Sequence, residues 1–146
     1  MEIIVGAIIF KDNKILMVKE LKKECKNKWA FPAGHLEEGE TMHEGAKRET
    51  LEETGCKIDL KKVFPILVKN TGERTFLMVH FLSNIIEETS EYKKDEIQET
   101  RWFSIDEIKK MEEHEFRSYK IVTNVIHALE NQEIYDLGII KNLSNF

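Results

Sequence analysis

The chain has 146 residues, enough for one domain with a real core, and 41% of them are hydrophobic against 34% charged. A formal net charge of -5 argues against a broad nucleic-acid footprint, and no apolar run approaches the roughly 18 residues of a membrane-spanning helix. The apolar start MEIIVGAIIF carries Glu2, lacks a basic leader and gives way to KDNK, so it does not read as a signal peptide. The only two cysteines, Cys25 and Cys56, lie in unrelated contexts and read as reduced thiols of a cytoplasmic protein.

The chain opens as a hairpin. Residues 2–10 are β-branched and apolar, Lys11–Lys14 is turn-like, and Ile15–Lys19 resumes the apolar run. Residues 20–28 form a polar loop, and Trp29-Ala30-Phe31 makes a short strand ending at Pro32. A helix over Thr41–Thr54 has readable ends. Thr41 and Glu44 have capping-box spacing, and Gly55 stands where a left-handed C-terminal residue is wanted. Residues 56–69 and 75–86 read as strands, the second apolar enough for the sheet interior. A charged loop, 87–96, leads to a strand near Thr100–Phe103. Ser104 caps a helix from Ile105 to about Glu113, and a second helix runs over about Arg117–Asn131, with Ile121, Val125, Ala128 and Leu129 at helical spacing. The last fifteen residues fit either a packed tail or a partner-binding edge. No linker or repeat interrupts the chain, so residues 1–146 read as one domain.

Chemistry concentrates between Gly34 and Cys56. Glu49, Glu52 and Glu53 fall at i, i+3 and i+4 of the helix; at about 100° per residue they share one narrow face. Three like charges there repel and weaken the helix, a cost more readily accepted when a cation sits among them. Hard divalent ions prefer oxygen ligands and leave positions for substrate phosphates, which suits phosphoryl chemistry. Glutamate-rich helices are also often merely solvated faces.

The surrounding residues decide between these readings. Gly34, Glu40, Arg48, Glu49, Glu52, Glu53 and Gly55 stand at spacings that resemble the Nudix box, over 23 of the 146 residues. Thr50 and Cys56 depart from it at two packing positions. The approach strand Trp29 to Glu37 also resembles the variant that reads PAGHLE before the box.

The resemblance implies an α+β Nudix fold, a mixed sheet sandwiched between helices. It implies hydrolysis of a pyrophosphate linkage in a nucleoside di- or triphosphate or another small diphosphate-containing metabolite, with Mg²⁺ or Mn²⁺. Glu49, Glu52 and Glu53 would hold the metal, joined by the main-chain carbonyl of Ala33. Glu96 of the charged loop is the favoured further ligand ahead of Asp95, Glu91 and Glu99. Arg48 would pair with Glu40 or Glu49 and orient it, and Gly34 would allow a tight backbone turn. The general base is assigned to Glu49, with a loop acid near Glu96 as the other choice. Trp29, His35 and Arg74 are candidate substrate contacts, although a strand aromatic is more often core and Arg74 sits in a hairpin turn. None of the five histidines has zinc-site spacing. The partner is a small phosphorylated molecule, not a nucleic-acid polymer or a membrane, and a homodimer is left open. The competing class is a Nudix-fold sensor that binds a nucleotide with little or no hydrolysis.

Overall fold

The computed structural model describes residues 1–143. Strand β1 (Glu2–Lys11) turns into β2 (Lys14–Glu20) through Asp12 and Asn13, at φ 52° and 61°. Positive φ at both central residues matches the right-handed twist of a two-residue hairpin. A short β3 (Trp29–Ala30) and β4 (Ala33–His35) then lead into helix α1 (Met42–Thr54). Both halves of the capping box form at Thr41 and Glu44, and Gly55 closes the helix at φ 74°. Beyond it come β5 (Cys56–Val63), β6 (Leu67–Asn70), β7 (Thr75–Glu88) and β8 (Ile97–Ser104). Helix α2 (Ile105–Lys110), helix α3 (Tyr119–Glu130) and a two-residue β9 (Tyr135–Asp136) complete the chain.

The sheet is mixed. β1 runs parallel to β7 from Glu2↔Phe76 to Ile9↔Ser83, while its other edge pairs antiparallel with β4 near Val5 and with β2 near Phe10. β2 in turn takes β3 and β8, and β7 takes β5 and β6. Alternation along β1 divides the core. Val5, Ala7 and Ile9 face Ala46 of α1, whereas Ile8 faces Val122, Val125 and Ile126 of α3. Helices therefore cover both faces, as expected of this α+β fold.

Three expected elements differ. Residues 56–69 are not one strand but two, separated at Phe64–Ile66, because Pro65 offers no N–H to the ladder. The strand near Thr100–Phe103 is longer, and pairs with β2 along almost its whole length. α2 stops at Lys110, where Met111 turns extended at ψ 150°, and a 3-10 turn occupies Glu113–Glu115. Of the C-terminal tail, Tyr135 pairs with Val63, and Leu137 and Ile140 pack on the α1-side core; residues 144–146 of that stretch lie outside the described residues. Cys25 and Cys56 are both free and buried. Among the described residues no helix is long and apolar enough to cross a membrane.

Candidate active site

β4 lies antiparallel on β1 because Gly6 leaves room for it: a Cβ there would come within 2.5 Å of the Pro32 carbonyl. This brings the backbone of Ala33 and Gly34 over the acidic face of α1. The Ala33 N–H donates to Glu53 Oε1 at 3.0 Å, and a Cβ on Gly34 would fall 2.2 Å from the Glu49 carboxyl carbon. A side chain at position 34 would therefore displace the Glu49 carboxylate from this backbone.

Arg48 organises the remaining acids. Its Nε and Nη2 grip both oxygens of Glu40 at 3.0 and 2.7 Å, its Nη1 reaches Glu49 at 2.8 Å, and Nη2 also donates to the His35 carbonyl at 3.0 Å. The sequence left Glu40 and Glu49 as alternative partners; the guanidinium fork holds both. Glu52 is met by Arg48 Nη1 at 3.4 Å and by Lys93 Nζ at 3.3 Å. Lys93 belongs to the charged loop, which is tied down by its own N–H to the Glu52 carbonyl at 2.8 Å.

The carboxylates differ in their electrostatics. Arg48 holds the Glu40 carboxyl below the usual range. Burial raises Glu49, with the Glu52 charge adding to it against the pull of Arg48. Glu53 is buried, and desolvation followed by the Glu49 charge pushes its carboxyl up to about 8. Among the described residues no three acid, His or Cys side chains are already converged on a cation position; Arg48 holds Glu40, Glu49 and Glu52, Lys93 also meets Glu52, and the Ala33 N–H holds Glu53. The donor set nevertheless fits a hard divalent ion. It is all oxygen, and among the described residues Glu53 is a buried carboxyl in no ion pair, with only the Ala33 N–H and the distant charge of Lys22 favouring its ionised form.

The other expected residues disperse. Glu96 is half-buried on the charged loop, close enough for its charge to help raise the Lys93 pKa. His35 and Arg74 both pair with Glu2, His35 at 2.8 Å, and Arg74 also lies over the Phe76 ring at 5.0 Å. His35 lines a cavity beside the box. Trp29 does not: it is 6% exposed, packed edge-on to Phe103 at 4.9 Å beneath Arg101, and is core.

That cavity, of about 270 Å³, lies between β7, β4 and the start of α3, and includes Ala33 and Gly34 in its lining. Sequence reasoning missed three of its polar residues. Glu20, read as the start of a polar loop, is 4% exposed and is gripped by Arg117 Nη1 at 2.8 and 3.1 Å. Arg117 is 97 positions away, so no local signal could join them. His80 sits among apolar residues of β7 and is fully buried; its place in an interior strand was the only hint.

A family model described as the NUDIX domain matches residues 2–125. A NUDIX hydrolase structure from Nitrosomonas europaea superposes with a TM-score of 0.88 at 27% identity, covering 99% of each chain. An 8-oxo-dGDP phosphatase of Danio rerio is 44% identical over 72 residues, 49% of this chain and 22% of that protein. An ADP-ribose pyrophosphatase of Methanocaldococcus jannaschii is 42% identical over 62 residues, 42% of this chain and 37% of that protein. The matched regions thus span well under half the length of either curated relative.

Proposed function

The chain belongs to the NUDIX family, and on that premise we propose that it is a divalent-metal-dependent hydrolase that splits the pyrophosphate linkage of a nucleoside di- or triphosphate or a similar small diphosphate. The observation that carries this reading is the packing of Ala33 and Gly34 on Glu53 and Glu49. A strand is thereby pressed against one buried and one half-buried carboxylate at a cavity's edge, an arrangement costly for stability unless the carboxylates serve a cation.

Glu49, Glu52, Glu53 and the Ala33 carbonyl would hold Mg²⁺ or Mn²⁺, which would offset charge on the phosphate oxygens and ease deprotonation of the attacking water. Arg48 keeps Glu49 oriented and Glu40 ionised. Glu49, whose basicity burial increases, is placed to take the proton from water. Gly34 lets the backbone of β4 lie directly on the Glu49 carboxylate, and the same two residues, Ala33 and Gly34, line the neighbouring cavity. The substrates named for the relatives, 8-oxo-dGDP and ADP-ribose, belong to this class.

The test is phosphate and nucleotide release from a panel containing 8-oxo-dGDP, nucleoside triphosphates, ADP-ribose and alcohol diphosphates, with Mg²⁺ or Mn²⁺, beside Glu52→Gln. Metal-dependent turnover that the variant loses supports the hydrolase. Tight binding of a nucleotide without turnover of any compound would replace it with a sensor.

A further inference from the structure

Helix α1 carries Glu52 and Glu53 near its C-terminus and no basic residue in its last turn, where a cation would offset the negative end of the helix dipole. The cation comes instead from the charged loop, whose backbone is fixed on this end of the helix at three points. The Thr89 N–H and Oγ1 donate to the Gly55 carbonyl at 2.9 and 3.0 Å, and the Lys93 N–H donates to the Glu52 carbonyl at 2.8 Å. A Cβ on Gly55 would come 2.6 Å from the Thr89 carbonyl, so a side chain there would push the loop away. On its other side, the Lys93 carbonyl accepts from the Glu96 and Ile97 N–H groups at 3.1 and 2.9 Å, and the Glu96 carbonyl accepts from the Leu21 N–H at 2.9 Å. The backbone of Lys93 is therefore pinned against α1. Its Nζ lies 3.3 Å from Glu52 Oε2, and the charges of Glu96 and Glu49 also act on it.

Arg48 and Lys93 both meet Glu52, but they are held differently. The Arg48 guanidinium is also gripped at four points by Glu40, Glu49 and the His35 carbonyl, and its side chain is 23% exposed. Lys93 is 45% exposed and touches one carboxylate oxygen at the end of a flexible stem. Its ammonium can leave while its backbone stays. A divalent ion that took Glu52 as a ligand would face that ammonium as a like charge across a single carboxylate, so the two compete. We infer that Lys93 is a positioning residue of the metal site: its ammonium holds Glu52 as a counter-ion until a divalent cation displaces it, while its backbone keeps the loop bearing Glu96 docked on α1. The inference rests on the hydrolase reading for the metal itself. An exposed ion pair without this role contributes little and competes with nothing, so metal affinity separates the two cases.

Mn²⁺ titrations of the full chain test it. Lys93→Met removes the ammonium and leaves the backbone contacts; it is expected to tighten Mn²⁺ binding by about fivefold or more, the lower end of coupling between interacting sites. Lys94→Met removes a charge from the same loop, but that Nζ lies over the Tyr92 ring at 5.7 Å, and the affinity should not change. Combined with Glu52→Gln, Lys93→Met should bring no gain, because the carboxylate under competition is gone. Thermal unfolding supplies a second readout. Lys93→Met should lower Tm in chelator, and saturating Mn²⁺ should close that deficit. Equal affinity in the wild-type protein and Lys93→Met overturns the inference and leaves the hydrolase reading standing. An equal gain from Lys94→Met, a gain that survives Glu52→Gln, or a Tm deficit that persists in Mn²⁺ overturns it as well. No saturable Mn²⁺ binding by any of these proteins sinks both readings together.

Discussion

Arg48 satisfies Glu40 at two points, Glu49 at one and the His35 carbonyl at another, so its planar fork and not merely its charge is used. Arg48→Lys keeps the charge and loses that geometry. It is expected to lower kcat/KM about 10- to 100-fold, as loss of an orienting partner does, in assays on whichever panel compound turns over; full activity in the lysine variant would show that charge alone suffices. Glu53 makes a different prediction. Its folded carboxyl is raised to about 8 from the ordinary 4.5, so between those values the folded state keeps a proton that the unfolded chain has released. Stability of the metal-free protein therefore falls as pH rises through that window. From pH 6.5 to 8 the loss should be on the order of 1 kcal/mol, because release of the last proton from His80 in the unfolded chain offsets part of the Glu53 effect. Urea midpoints measured in chelator should show this decline, and Glu53→Gln, which can still accept the Ala33 N–H, should flatten it. The carboxylate positions were legible in the sequence because i, i+3, i+4 spacing fixes a helix face. Their unequal burial was not, since it depends on β4 arriving from outside the helix.

At the scale of elements, α1 is specified almost entirely by local signals: a reciprocal cap at one end and a left-handed glycine at the other. Thr41→Ala removes the side-chain acceptor for Glu44 N–H and should cost about 1 kcal/mol, or about 3 °C in Tm, by thermal unfolding. A loss near zero would mean that tertiary packing alone holds the first turn. Strands with local turn chemistry, such as the β1–β2 hairpin, were equally legible. β8 was not read at full length, because its ladder with β2 is set by pairing 80-odd positions apart, and its exposed charged residues mask the alternation that would reveal it. The break between β5 and β6 had a signal, Pro65, that the apolar run on either side concealed. Helix α2 ends sooner than its residue pattern predicts, for a similar reason. Its apolar and charged residues continue past Lys110, yet Met111 leaves helical geometry and only a 3-10 turn follows.

For the whole molecule, the division of the core by β1 determines where function can lie. The α1 face carries the acidic site, the α3 face carries the cavity, and β4 with its Ala33–Gly34 backbone is common to both. Ile8 and Ile9 are both fully buried, on opposite faces. Ile8→Ala and Ile9→Ala should each cost about 2–5 kcal/mol by denaturant unfolding, whereas a sheet covered on one face would register only one of them strongly. The cavity was illegible in the sequence, since Glu20, His80 and Arg117 come from three distant segments; the acidic site was legible because one helix holds most of it. Whether α1 serves a divalent ion is decided by titrating Mn²⁺ into the protein and following free ion by electron paramagnetic resonance. Saturable binding that weakens at least tenfold in Glu53→Gln and in Glu52→Gln, while both variants stay folded, is the expected result; binding of equal strength in the wild-type protein and both variants would rule the metal site out.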